Sequence, residues 1–144
     1  MVIYADTSFL FSLYGHDANS AQARPIGDSL HAPLAFTPLQ RHELRNAFRL
    51  AAFRKVMTVA RLRAVLAEVE ADAKAGALID TPLAWAEVFA EAEALSAAHT
   101  ESLGIRALDV LHVAAAAALG VREFYTFDAR QKALAVKTGM KVRP

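Results

Sequence analysis

A chain of 144 residues suits one compact domain built round a single core, and with 55% hydrophobic and 22% charged residues it has the apolar mass to pack, which excludes an intrinsically disordered chain. It has no cysteine, which excludes disulfides and thiolate metal sites and leaves oxygen or imidazole as the donors to any metal. The formal net charge is only +1, but it is unevenly spread: residues 41–63 set seven bases against Glu43 alone and residues 64–101 set Lys74 against eight acids, giving a basic band suited to a polyanion and, beside it, an acidic band that together suit self-association.

The opening Met1-Val-Ile-Tyr-Ala-Asp6 lacks the basic and long apolar regions of a signal peptide, and the longest apolar stretch, Val113 to Leu119, is too short to cross a bilayer. A soluble cytoplasmic protein with no membrane contact is the expectation. Val2 to Ala5 reads as a short buried strand feeding a helix, with Asp6, Thr7 and Ser8 as capping residues and Phe9, Leu10 and Leu13 at helical spacing. Residues 17–31 have helical character, but Arg24-Pro25 and Gly27 predict either a broken run or a proline confined to a first turn.

His31 to Phe36 suggests a second strand, and Thr37-Pro38 predicts a helix from about residue 38. On that helix Leu44, Ala47, Phe48 and Ala51 form an apolar stripe, while Arg41, Arg45 and Arg49 step by four along another and are candidates to contact the phosphates of a polyanion. A further helix carries Val59, Leu62, Leu66, Val69 and Ala73 and closes near Gly76, before a third strand at Leu78-Ile79. Thr81-Pro82 repeats the cap-plus-proline pattern, so Trp85, Val88, Phe89, Ala92 and Leu95 are expected on a buried helix face with Glu87, Glu91 and Glu93 in water. Asp109 to Leu119 reads as an alanine-rich helix ended by Gly120, followed by a strand at Phe124–Thr126, a helix near Ala129–Lys137 and a strand around Lys141-Val142. Strands separated by helices along the whole length predict an α/β fold with a central parallel sheet of four or five strands covered on both faces.

Ligands of open parallel sheets sit at the carboxyl ends of the strands. Asp6 follows the first strand and Asp128 the Phe124–Thr126 strand, while Glu43 and Asp109 lie in the opening turns of two helices, so four carboxylates from remote segments are able to share one cleft. Crowded carboxylates raise one another's pKa unless a cation neutralises them, which is the pattern of a hard-metal site for Mg2+ or Mn2+ and, with it, of phosphodiester hydrolysis. Each acid also has a plainer role open to it: Asp6 and Asp109 as helix caps, Asp128 as a turn residue, Glu43 as a solvated partner of nearby arginines. Ser8, Asn46 and Thr126 are candidates to orient these carboxylates by hydrogen bonds. His112, one turn after Asp109, is able to reach the cleft but is expected to be a packed, hydrogen-bonded histidine, and His99 and Arg106 structural.

Four segments, Ile3-Tyr-Ala-Asp6-Thr-Ser8, Glu43-Leu-Arg-Asn46-Ala, Arg106-Ala-Leu-Asp109-Val-Leu-His112-Val-Ala and Phe124-Tyr-Thr-Phe-Asp128-Ala-Arg-Gln131, together resemble the PIN-domain family and, within it, the VapC-type toxins of toxin–antitoxin pairs. The resemblance spans nearly the whole chain, in order. It implies a three-layer α/β/α sandwich over residues 1–144 as a single nuclease domain, Mg2+ or Mn2+ held by Asp6, Glu43, Asp109 and Asp128, and endonucleolytic cleavage of RNA. It also implies a homodimer and a cognate antitoxin, gripped by a helical clip at about residues 38–75. Relatives have a more regular helix where Arg24-Pro25 falls.

Three other classes fit less well. A haloacid-dehalogenase-like phosphatase needs a second aspartate where Ser8 stands, a response-regulator receiver needs adjacent acids near the first strand, and a dinucleotide-binding module needs a glycine-rich turn after it. A non-toxin PIN nuclease of RNA processing, or a PIN-like module that only binds, remain as alternatives within the resemblance.

Overall fold

A computed structural model describes residues 1–144. In chain order it has β1 (Tyr4–Ala5), α1 (Thr7–Tyr14), α2 (Ser20–Asp28), β2 (Leu34–Phe36), α3 (Pro38–Phe53), α4 (Val59–Ala75), β3 (Leu78–Asp80), α5 (Trp85–Leu103), α6 (Ala107–Ala118), β4 (Glu123–Tyr125), α7 (Ala129–Lys137) and β5 (Lys141–Arg143). All strand pairs are parallel: β1 with β4, β4 with β5, and β2 with β3. A parallel bridge from Ile3 to Leu34, with Ala35 N–H donating to the Ile3 carbonyl at 2.8 Å, joins the two ladders into one sheet of order β3-β2-β1-β4-β5. The parallel sheet of four or five strands expected from the sequence is present, with five.

Side chains alternate across a strand, so each strand feeds two cores. Ile3, Ala5, Leu34, Phe36, Leu78 and Tyr125 pack with Phe9 and Leu10 of α1, Ala23 of α2, Leu44 and Phe48 of α3, and Val65 and Val69 of α4. Tyr4, Ala35 and Phe124 point the other way, onto Val88 and Leu95 of α5, Val113 and Ala114 of α6, and Leu134 of α7. Helices therefore cover both faces, which is the three-layer α/β/α arrangement.

Three features depart from the sequence reading. Residues 20–28 form a helix with Pro25 inside it. Pro25 removes one donor, which would have served the Ala21 carbonyl, but both residues are exposed, so that carbonyl is left open to solvent and not buried without a partner. Thr81-Pro82 does not cap α5: the Thr81 hydroxyl turns back to donate to the Ile79 carbonyl at 2.6 Å, and the helix begins only at Trp85. On α5, Val88, Ala92 and Leu95 are buried as the periodicity predicts, but Trp85 and Phe89 are 39% and 53% exposed and leave an apolar face on the surface.

The basic and acidic bands meet within the molecule. Arg45 pairs with Glu70 at 2.9 Å, Arg41 with Asp80 at 3.5 Å, and Arg61 with Glu68 at 3.3 Å. Exposed pairs of this kind contribute about 0–1 kcal/mol each, against about 1.5–3 kcal/mol for fully burying a side chain such as Phe48. The core therefore holds α3 and α4 in place, and the pairs trim their charge.

Candidate active site

The chain leaves β1 in opposite directions along the sheet, through β2 on one side and β4 on the other, so the crevice between the carboxyl ends of β1 and β4 is the topological switch point. Asp6 stands there because it is both the residue after β1 and the N-cap of α1. It is fully buried, and its carboxylate accepts from Phe9 N–H at 2.9 Å, from the Ser8 hydroxyl at 2.7 and 2.9 Å, and from the Thr126 hydroxyl at 2.6 Å. Thr126 follows β4, so that last bond ties the two strand ends together. Burial still pushes the Asp6 carboxyl above its ordinary pKa, although Thr126, Phe9, His112 and Ser8 all favour the ionised form.

The network runs on from Thr126. Its hydroxyl accepts the Asp128 N–H at 2.9 Å, and Asp128 caps α7 by accepting from Arg130 and Gln131 N–H, both at 2.9 Å. Gln131 is buried, and its side-chain amide donates to Asp109 Oδ1 at 2.9 Å. Asp109 lies in the first turn of α6, where burial first and the Asp128 charge second raise its carboxyl above the usual range, with Glu43 adding to the effect.

Glu43 is positioned from α3. Thr37 and Gln40 form a reciprocal capping box, and the Gln40 amide also donates to the Ala5 carbonyl, which fixes the start of α3 against the end of β1. One turn later Glu43 Oε1 lies 2.8 Å from His112 Nε2, and His112 Nδ1 lies 2.8 Å from the Tyr4 hydroxyl. Burial acts to raise the Glu43 carboxyl, but the hydrogen bond and charge of His112, with the Thr7 hydroxyl, outweigh it and hold it below its ordinary value.

Asp6, Asp109 and Asp128 thus share one hydrogen-bonded network, and Glu43 joins them through His112. Ser8 and Thr126 stand directly on Asp6. Asn46 does not reach Glu43: it is exposed and makes no side-chain hydrogen bond, and His112 occupies the role assigned to it. Arg41 and Arg45 are spent on Asp80 and Glu70, and Arg41 also lies over the Phe36 ring at 4.7 Å, so of the three arginines proposed for phosphates only Arg49 is exposed and free of an ion pair. Sequence reasoning missed Gln131, although Asp128 with Gln131 three residues on is a capping-box pattern, whereas His112 is packed and hydrogen-bonded as expected and also reaches the cleft through Glu43.

No three of the acidic or imidazole groups, as placed, form a cage for an ion on their own. The donor chemistry nevertheless fits a hard divalent cation: the groups are carboxylate oxygens, two of them raised in pKa by burial, and no lysine or arginine pairs with Asp6, Glu43, Asp109 or Asp128.

The comparisons with known proteins bear on the fold and the family. The chain is similar to the Mycobacterium tuberculosis VapC20, a sarcin-ricin loop cleaving toxin, whose crystal structure superposes with a TM-score of 0.67 at 20% identity over 91% of this chain and 93% of that one. At that identity the likeness speaks for the fold. Among curated proteins none matches. A family model of the PIN domain matches residues 3–137, which takes in β1 through α7 and every residue of the acidic network, and on that match the chain belongs to the PIN-domain family.

Proposed function

We propose that the protein is a divalent-metal-dependent endoribonuclease and the toxin of a VapC-type toxin–antitoxin pair, acting on RNA in the cytoplasm. The observation that carries the reading is the meeting of Asp6, Asp109 and Asp128 in one network at the switch point of a PIN fold, with Glu43 alongside and no lysine or arginine paired with any of them.

Asp6, Asp109, Glu43 and Asp128 would hold Mg2+ or Mn2+. When bound there, the ion supplies Lewis-acid charge to the phosphodiester and lowers the pKa of an attacking water. The rest is the work of the chain. Ser8 and Thr126 fix the orientation of Asp6, and Gln131 fixes that of Asp109, so the acids are preorganised before any ligand arrives. Arg49, exposed on α3 beyond Glu43, suits a phosphate of the substrate strand.

The similarity to VapC20 supports the toxin reading over a housekeeping nuclease. The α3–α4 hairpin, with Phe53 and Val56 exposed at its tip, suits the clip for an antitoxin, and the exposed Trp85, Phe89 and Leu108 suit a homodimer contact. The structure has no helix long and apolar enough to cross a membrane.

The test is cleavage of RNA by purified protein with Mg2+ or Mn2+. Asp6→Asn and Asp109→Asn are expected to lower the rate by on the order of 100-fold or more while the far-ultraviolet circular dichroism stays native. Metal-independent cutting, or full activity in both variants, would overturn the mechanism. Induction in cells is expected to halt growth, and a small partner encoded next to the gene to relieve it; unimpeded growth refutes the toxin role.

A further inference from the structure

Tyr4 on β1, His112 on α6 and Glu43 on α3 are remote in sequence and come from all three layers, yet they form one hydrogen-bonded line. The Glu43 carboxylate only accepts, so His112 Nε2 carries a proton and donates to Oε1 at 2.8 Å. On the other side of the ring the fully buried Tyr4 hydroxyl lies 2.8 Å from Nδ1. The imidazole is thereby held in one orientation between the two, with Thr7 Oγ1 also 3.4 Å from Nε2.

Apart from the Thr7 hydroxyl, Glu43 has no other partner. It forms no ion pair with a lysine or arginine, Asn46 is turned to water, and its side chain is 27% exposed at the rim of the crevice. The negative charge of Asp109 repels it. A glutamate so placed on a solvated helix would swing outward on its flexible stem unless a donor on the far layer held it. His112, 1% exposed and anchored by Tyr4, is that donor.

We infer that His112, oriented by Tyr4, is the positioning residue that keeps the Glu43 carboxylate in the crevice. The inference depends on the proposed nuclease reading only for what Glu43 does once it is held there. An ordinary packed histidine would support the fold and leave Glu43 indifferent to its loss.

The experiment uses the full chain without RNA. Long-range nitrogen–proton NMR of the metal-free protein is expected to show His112 protonated at Nε2, with its ring signals displaced in Glu43→Ala and in Tyr4→Phe. Titration with Mn2+ is expected to show about tenfold weaker binding in His112→Leu, the scale for losing a hydrogen bond behind a metal ligand. His112→Gln, whose amide nitrogen is able to replace the Nε2 donor, is expected to recover most of that affinity. The double variant with Glu43→Ala should bind no worse than Glu43→Ala alone. Wild-type affinity in His112→Leu, additive losses in the double variant, or ring signals unmoved by Glu43→Ala would each overturn the inference. Should His112→Leu fail to fold, Tyr4→Phe and His112→Gln decide by the same measurements. Should the wild type bind no Mn2+, the metal reading alone fails, and the response of the ring signals to Glu43→Ala decides the role of His112.

Discussion

Thr126→Val keeps shape and burial and removes a single hydroxyl, so its effect is a direct reading of what holds Asp6. Two bonds are lost: the 2.6 Å donation to the Asp6 carboxylate and the acceptance of Asp128 N–H at 2.9 Å. A hydrogen bond to a charged group is worth about 1.5–3 kcal/mol, and leaving a backbone donor without its partner adds about 1 kcal/mol where water reaches it in part. The expected loss is about 3 kcal/mol, a large share of the roughly 5–15 kcal/mol that keeps a domain folded. Burial already holds the Asp6 carboxyl above its unfolded value, so stability linked to this group is complete below the unfolded carboxylate range and is lost as pH rises through the folded value. Removing a donor to the ionised form moves the folded value further up. The deficit should therefore be greatest at pH 7 and shrink as pH falls to about 4. Urea unfolding of metal-free protein at both pH values measures it, with a midpoint shift of about 1–2 M expected at pH 7. A deficit under about 1 kcal/mol, or one that does not change with pH, refutes the view that Thr126 sustains a buried charge.

The same charge predicts a response to metal. Mg2+ or Mn2+ at 100 times its dissociation constant should add about 2.7 kcal/mol and raise the melting temperature by about 9 °C, an effect absent in Asp6→Asn and Asp109→Asn; equal melting curves with and without the ion in wild-type protein would count against the site. Arg49→Ala should weaken RNA binding and reduce the salt slope by about 0.7 in logarithmic units for a single strand, while Arg41→Ala and Arg45→Ala, whose charges are met within the protein, change it less. Equal slopes in all three variants argue against Arg49 as a phosphate contact.

The sheet was legible because period-two and helical patterns alternate along the chain, and the placement of Asp6 and Asp128 followed from counting residues past each strand. What sequence could not supply is pairing across the fold. Nothing local to Arg41 or Arg45 announces Asp80 and Glu70, and Tyr4 and His112 meet only because β1 and α6 lie face to face. Asn46 has the right helical spacing to serve Glu43, but spacing does not tell which side of a helix faces water. Trp85 and Phe89 fit the buried stripe of α5 equally well whether the covering surface belongs to this chain or to another molecule, so periodicity alone misassigned them. Pro25 misled because a helix-breaking residue is judged by its type, whereas the outcome turned on whether the orphaned carbonyl stayed wet.

The acids are drawn from both sides of the sheet: Glu43 rides on a helix of one outer layer, Asp109 on a helix of the other, and Asp6 and Asp128 sit on the seam between them. A chain emerging from the ribosome has Asp6 and Glu43 in hand long before Asp109 and Asp128 exist, and neither half of the sandwich carries the set alone. Under the proposed function, cutting power would then arrive in one step with the docking of the last layer, so a nascent or half-unravelled copy would be harmless to the RNA around it.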